Sequence, residues 1–409
     1  MHTPFDAFRE ADATRGNLPQ AGGRAGRSLS QSPGRLTSAA TTVIGALAHS
    51  EWVSYLLALL GVAALIVLHE FGHFVAAKAV GMYVERFSLF FGPMVVKVRH
   101  GETEYGVGVI PLGGYVTIAG MNPREELPPE LLPGAYYNQS VWKRIVVVLA
   151  GPAMNLLIAF VIVWALFLSN GEAVPTKRVT SVGAGTPAAS ALKVGDQIVS
   201  VDGVRGSVLA IQRQIGSHRC PGAQTPGCRA ATPARVVVRR NSRLLILALY
   251  PRYVATDRRM EIGFAFGEAQ RPASAGRAAL LAVSGLWTVT KATVSIVARI
   301  FEPQERKQLH GVVGGYTVTQ KSFAQSTSLA LEILALISLS LGVVNLFPFL
   351  PLDGGHAFWA LAERISGRKI PFEVMERASV VGFVLILIIF VIGLSNDIST
   401  LTGSGFNVR

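Results

Sequence analysis

The chain has 409 residues, 50% of them hydrophobic and only 15% charged, with a mean hydropathy of +0.42. Soluble globular chains carry roughly 25% charged residues, so composition argues against an ordinary soluble enzyme. It also excludes intrinsic disorder, which needs low hydrophobicity and high charge. The 38 Lys+Arg against 25 Asp+Glu give a formal charge of +13, which suits nucleic acid or an anionic membrane surface. The hydropathy selects the lipid bilayer, and no nucleic acid is expected.

Residues 1–50 are rich in Ser, Thr, Gly, Ala and Arg without a periodic apolar face. They read as a disordered N-terminal extension with no secretory signal. A span needs about 20 mostly apolar residues, and the stretch Trp52–Ala77 supplies the first. Between Glu85 and Met121, β-like runs at Phe87–Phe91, Met94–Arg99, Glu104–Ile110 and Tyr115–Ala119 are separated by Gly-Pro, His-Gly and Gly-Gly pairs. Ile145–Leu168 is the second span and closes a membrane segment over 52–170. A soluble domain follows within about 171–277. Its segment Gly185–Gly203 reads as helix, strand and turn, with further strands at Arg235–Arg240 and Leu244–Tyr250. Cys220 and Cys228 lie eight apart in a Pro/Gly loop, where a disulfide clamp is preferred to a metal site. His218 reads as a plain loop residue.

Ala278–Phe301 is interrupted by Lys291 and reads as an amphipathic helix on the membrane surface. The third and fourth spans, Leu329–Leu350 and Ala378–Leu394, occupy 329–395, and 396–409 form a tail. The expected fold is a polytopic α-helical membrane protein with four transmembrane helices. Lys and Arg concentrate in the loops after the first and third spans, which puts those loops on the cytoplasmic side and both termini outside.

The chemistry lies inside the first span. His69-Glu70-Phe71-Gly72-His73 is a His-Glu-x-x-His pattern, which on a helix places two imidazoles at i and i+4 on one face to share a Zn²⁺. Glu70 is then the acid/base that takes a proton from water. Three ionisable groups within five residues at bilayer depth are costly on any insertion scale, and such groups mark functional sites. A catalytic zinc needs a third protein ligand. Asp353, in Asn345-Leu-Phe-Pro-Phe-Leu-Pro-Leu-Asp-Gly-Gly355, lies at the inner end of the third span. That span runs in the same direction as the first, so the three groups can meet at one depth. The prolines and glycines break the helix there, which lipid tolerates only around a cavity.

His69-Glu70-Phe71-Gly72-His73 together with Asn345, Pro348 and Leu352-Asp353-Gly354 resembles the site-2 protease family of intramembrane zinc metalloproteases, peptidase family M50. More narrowly it resembles the bacterial regulators that cleave anti-sigma factors and remnant signal peptides. The resemblance implies His69, His73 and Asp353 as zinc ligands and Glu70 as the catalytic residue. It also implies substrates that span the membrane once, a first cut by an upstream site-1 type protease, and residence in the bacterial cytoplasmic membrane. Gly151-Pro-Ala-Met-Asn155 matches the family's Gly-Pro-x-x-Asn, and Asn345 its asparagine upstream of Asp-Gly. Both asparagines are expected to hold unwound substrate backbone. The family's membrane-associated β-hairpin corresponds to 85–121, where an edge strand can hold a substrate by β-augmentation. Gly106–Ala119, with Gly113, Gly114 and Tyr115, is the expected edge. The run Pro187-Ala-Ala-Ser-Ala-Leu-Lys-Val-Gly-Asp-Gln-Ile-Val-Ser-Val-Asp-Gly203 resembles a circularly permuted PDZ domain, set at 177–255. Such a domain either binds peptide or excludes bulky substrates.

Two rival readings are weighed. A metal transporter would show inverted repeats or several broken helices with acidic pairs, and neither is found. A catalytically inactive PDZ-bearing membrane scaffold would have lost Glu70 or a ligand, and all four residues are present.

Overall fold

The computed structural model describes residues 51–110, 113–122, 125–299, 302 and 311–403. The extension 1–50 lies outside the described residues. The described chain divides into two compact units, one formed by 170–273 and the other by the segments on either side.

In the helical unit, α1 spans Glu51–Ala79. Its apolar run contains no proline, and it ends where Gly81 takes φ +80°. Met82 N–H then bonds Ala77 O and Gly81 N–H bonds Lys78 O, the paired closure that a left-handed residue permits. Four strands follow: β1 (Val84–Ser88), β2 (Phe91–His100), β3 (Thr103–Ile110) and β4 (Tyr115–Ile118). Each expected run overlaps a strand, though the first is shifted from Phe87–Phe91 to Val84–Ser88 and β2 begins at Phe91; their order in the sheet is β2-β3-β1-β4. β3 pairs with β2 in a hairpin and also with β1 in parallel, Phe87 opposite Tyr105. Among the described residues β4 pairs with β1 alone, Phe87 opposite Val116. The sheet seats on α1 through rings, with Phe74 lying 5.2 Å from Phe87 and 5.8 Å from Tyr105.

The remaining helices of this unit are α2 (Val141–Asn170), α4 (Ala275–Ala298), α5 (Val312–Gln325), α6 (Thr327–Asn345), α7 (Asp353–Ser366) and α8 (Phe372–Thr402); α3 belongs to the other unit. Residues 72 and 69 of α1 face residues 150 and 155 of α2, so those helices are antiparallel. α6 runs parallel to α1, since Leu334 packs at Gly61 while Gly342 meets Pro152 and Asn155 of α2. Five helices among the described residues are long and apolar enough to cross a membrane, one more than the expected four. The addition is Ala275–Ile296, the least apolar of the five. Lys291 sits near the end of that stretch rather than dividing it, so length and composition alone do not separate it from the others.

α5 was not legible in the sequence. It has no capping side chain of its own. Instead the buried Asp397 of α8 accepts from Gly311 N–H at 3.0 Å and Gly314 N–H at 2.8 Å. A carboxylate there satisfies amides that a helix start leaves unpaired and complements its dipole. Gln320 of α5 donates to Ser54 of α1 at 2.7 Å in a buried bond.

In the second unit, β5 (Glu172–Val182), β6 (Gln197–Val201), β7 (Ala234–Arg240), β8 (Arg243–Leu249) and β11 (Phe264–Arg271) form a sheet ordered β11-β5-β6-β7-β8. The short strands β9 (Arg252–Val254) and β10 (Arg259–Glu261) pair separately. Val179, Ile198, Val201, Val236, Val238 and Leu249 form the core with Ile211 and Ile215 of α3 (Val208–Gly216). The expected helix after Gly185 is a short 3₁₀ turn, Pro187–Ser190. The unit extends past the 177–255 read from sequence to 170–273, because β11 completes the sheet by pairing along β5 from Val182 to Glu172. Cys220 and Cys228 are joined in a disulfide. His218 is more than a loop residue, since its Nε2 lies 2.9 Å from Asp202 Oδ2. Asp196 is 1% exposed at its side chain and receives two bonds from Arg240, at 2.7 and 2.6 Å. The Arg240 guanidinium holds the Asp196 carboxyl below the usual carboxylate range.

Candidate metal centre

His69 and His73 lie one turn apart on α1, both buried. Asp353 is the first residue of α7, brought to them by the break between α6 and α7 that contains Pro348 and Pro351. Asp353 Oδ2 lies 3.1 Å from His69 Nε2 and 3.3 Å from His73 Nε2, and the two Nε2 atoms are 3.3 Å apart. The far end of α7 is held as well, by Glu363 on Arg144 of α2 at 2.9 Å, both side chains mostly buried.

The protonation pattern indicates what this cluster holds. His73 Nδ1 donates to Val147 O at 2.7 Å, which leaves Nε2 of the neutral ring as a bare lone pair. Asp353 Oδ2 is buried and makes no hydrogen bond among the described residues. A bare lone pair facing an unpartnered carboxylate oxygen, with His69 Nε2 within 3.3 Å of both, is unfavourable without a cation between them. Donors bound tetrahedrally at 2.0–2.1 Å sit about 3.3 Å apart, and the observed separations match. Two imidazoles and a carboxylate are also a donor set that suits zinc.

Glu70, the next residue on α1, is half-buried beside the cluster. Its carboxylate lies beside the backbone of Val116 in β4. Gly114 lies against it, since a Cβ at that position would be 3.5 Å from Glu70 Cγ. The expected edge at Gly106–Ala119 therefore needs correcting in its first half. β3 has partners on both sides, because β1 pairs with it in parallel across the sheet. Tyr115–Ile118 is an edge, and a groove of about 400 Å³ lined by Val116, Thr117, Ile118 and Met121 runs beside it. Gly113 and Gly114 lead into that strand, and the Tyr115 ring stacks on Phe91 at 5.8 Å.

Asn155, expected to hold substrate, is placed against the metal cluster. Asn155 is fully buried, and its Nδ2 lies 3.0 Å from His69 Nδ1. Asn345 ends α6 and is half-buried. The sequence reading missed the carbonyl of Val147 and the role of Gly151, whose Cα faces the His73 ring so closely that a Cβ would overlap it. The signal for both was the spacing in Gly151-Pro-Ala-Met-Asn155. It is again i, i+4, and in antiparallel helices it sets Gly151 opposite His73 and Asn155 opposite His69.

The model of peptidase family M50 matches residues 57–389. The chain belongs to this family. Zinc metalloprotease Rip1 of Mycobacterium tuberculosis is 31% identical over 354 residues, covering 73% of this chain and 83% of its own length. The corresponding protein of Mycobacterium bovis is 30% identical with the same coverage. A Campylobacter jejuni protein provisionally named a zinc metalloprotease is 29% identical over 374 residues, covering 86% of this chain and 95% of its own. This M50 protein is thus a zinc metalloprotease of the multi-pass membrane type, and the cluster of His69, His73 and Asp353 fits its metal.

Proposed function

We propose that this M50 peptidase cuts single-span membrane proteins within the bilayer, after another protease has shortened them. The observation that carries the reading is where the donor set lies: two of its three residues, and Glu70, are on a helix apolar enough to cross a membrane. Zinc, when bound there, polarises a carbonyl and lowers the pKa of water toward about 7. His69 and His73 hold it through Nε2, and Asp353 through Oδ2. Glu70 takes the proton of the attacking water on its carboxylate and passes it to the departing amide nitrogen. A helical substrate buries its scissile carbonyls in its own hydrogen bonds, so it must be held extended. The free edge of β4 is suited to that, because strand addition supplies backbone partners next to Glu70. In this reading Gly113 and Gly114 let the substrate backbone approach, and Asn345 contacts the unwound segment.

The unit 170–273 is read as the permuted PDZ domain on the extracytoplasmic side. It either docks peptide ends or bars substrates that still carry a bulky outer domain. Four helices cross the membrane, and Ala275–Ala298 lies on its surface. Substrates of the anti-sigma factor or remnant signal peptide type fit these constraints, with the active site toward the cytoplasm of a bacterial inner membrane. The test is a single-span substrate co-reconstituted in liposomes. Cleavage should map by mass spectrometry inside the span, and Glu70→Gln should keep zinc while losing at least ~100-fold in rate. A cut confined to the flanking soluble segments, or a fully active Glu70→Gln variant, overturns the reading.

A further inference from the structure

We infer that Asn155 is a positioning residue for zinc, fixing the ring orientation and tautomer of His69 from the side away from the metal; this rests on the metal site proposed above. His69 turns Nε2 to the cluster and Nδ1 to Asn155. A neutral imidazole that gives Nε2 to a metal carries its proton on Nδ1 and needs an acceptor there. For His73 that acceptor is the Val147 carbonyl. For His69 the group at 3.0 Å is the Asn155 side-chain amide, which can serve either tautomer. Its Nδ2 donates to a bare Nδ1, whereas a half-turn of the amide puts Oδ1 in that place to accept from Nδ1–H. In the present orientation Oδ1 is buried and makes no hydrogen bond among the described residues. The half-turn gives it one, with the amino group moving to where Oδ1 stood.

The amide is well placed because its backbone is held from a second helix. Ser338 of α6 donates to Asn155 O at 2.9 Å in a buried bond, and a Cβ on Gly342 would come within 3.2 Å of Asn155 Cβ. Asn155 is 0% exposed, so a substrate cannot reach it while the helices stay packed. Its polar group serves the histidine.

Three variants of the full-length protein in detergent test this, read by chelator competition for zinc and by the visible ligand-field spectrum of bound Co²⁺. Asn155→Leu keeps the branched shape but removes the acceptor, and should weaken zinc binding roughly 10–100-fold and shift the Co²⁺ bands. Asn155→Asp accepts only, and should bind zinc at least as tightly as wild type with an unshifted spectrum. If Asn155→Leu is not recovered folded, Asn155→Ala against Asn155→Asp decides the matter. Wild-type affinity in Asn155→Leu, or equal losses in Asn155→Asp and the apolar variants, overturns the inference. His69→Ala serves as the reference: if it too keeps its zinc, the metal site itself is wrong, which is a separate failure.

Discussion

Replacing Gly151 by alanine should disable the metal site without touching a ligand. The added Cβ would lie 2.6 Å from Cε1 and 2.8 Å from Cδ2 of His73, and nearer still to Nε2. Non-bonded carbons settle at about 3.5–4.0 Å, so the ring must retreat by about 1 Å. It has little freedom to do so, because its Nδ1–H is tied to Val147 O on the same helix at 2.7 Å. Retreat means stretching that bond or parting α1 from α2. Overpacking of this kind costs about 1–3 kcal/mol, equivalent to about a 5- to 150-fold loss of zinc affinity if the strain is relieved by metal release. Equilibrium competition with a chelator reads the loss directly, and catalytic rate should fall with zinc occupancy. Gly276→Ala in α4 is the control, since a Cβ there meets nothing within 4 Å. Wild-type zinc affinity in Gly151→Ala would refute the claim that this glycine makes room for the ligand ring.

Asp353→Ala should cost more zinc affinity than the roughly 10–100-fold typical of supporting residues, measured as bound zinc per purified chain; retention of one equivalent would make Asp353 a turn residue. Arg240→Ala leaves the buried Asp196 charge largely unpaired and should destabilise the 170–273 unit by about 3 kcal/mol, read by pulse proteolysis. Because Arg240 depresses the Asp196 pKa, the pair's stabilisation is fully present above the unfolded value of 3.8 and is lost as pH falls through the lower native value. The gap between wild type and Asp196→Asn should therefore close only in acid, below pH 3.8. Replacing 172–271 with a short Gly/Ser linker joins ends that β5 and β11 already hold side by side, Glu172 opposite Arg271. If the unit bars untrimmed substrates, that variant should cleave them while keeping its zinc; continued rejection of untrimmed substrate would make the unit a docking module.

The parts legible in the sequence were those whose signal is local. The ligand pair on α1 is a fixed spacing on one helix. The strands of the first sheet are apolar runs cut by Gly and Pro; the later three formed close to where that punctuation put them, whereas the first is shifted to Val84–Ser88 and Gly92-Pro93 falls inside β2. Pairing is not local. Chain order alone suggests neighbouring hairpins, and nothing in the residues of β1 and β3 announces that they lie parallel and bury β3 between partners. α5 was missed because Val312–Gln325 mixes Gly, Thr and β-branched residues and takes its cap from Asp397, far along the chain. α3 was missed because it is a single short amphipathic element after a turn. Asn155 was recognised, but its contact with His69 was not: a polar residue in a span is conspicuous in sequence, while the direction it faces depends on how α1 and α2 pack.

The packing of α1 on α2 has a kinematic consequence. Gly72 meets Ala150 O, Gly151 meets the His73 ring, and Asn155 meets His69, three contacts within little more than one turn. A slide of even one residue, about 1.5 Å, would drive backbone into backbone at the first and ring into backbone at the second. These helices form a fixed jaw. If the substrate is a membrane-spanning helix, as proposed above, it must then supply the motion and surrender its own helical turn to reach Glu70. Residues that ease unwinding near the cut, rather than a pocket shaped for any one side chain, are then what such an enzyme selects for.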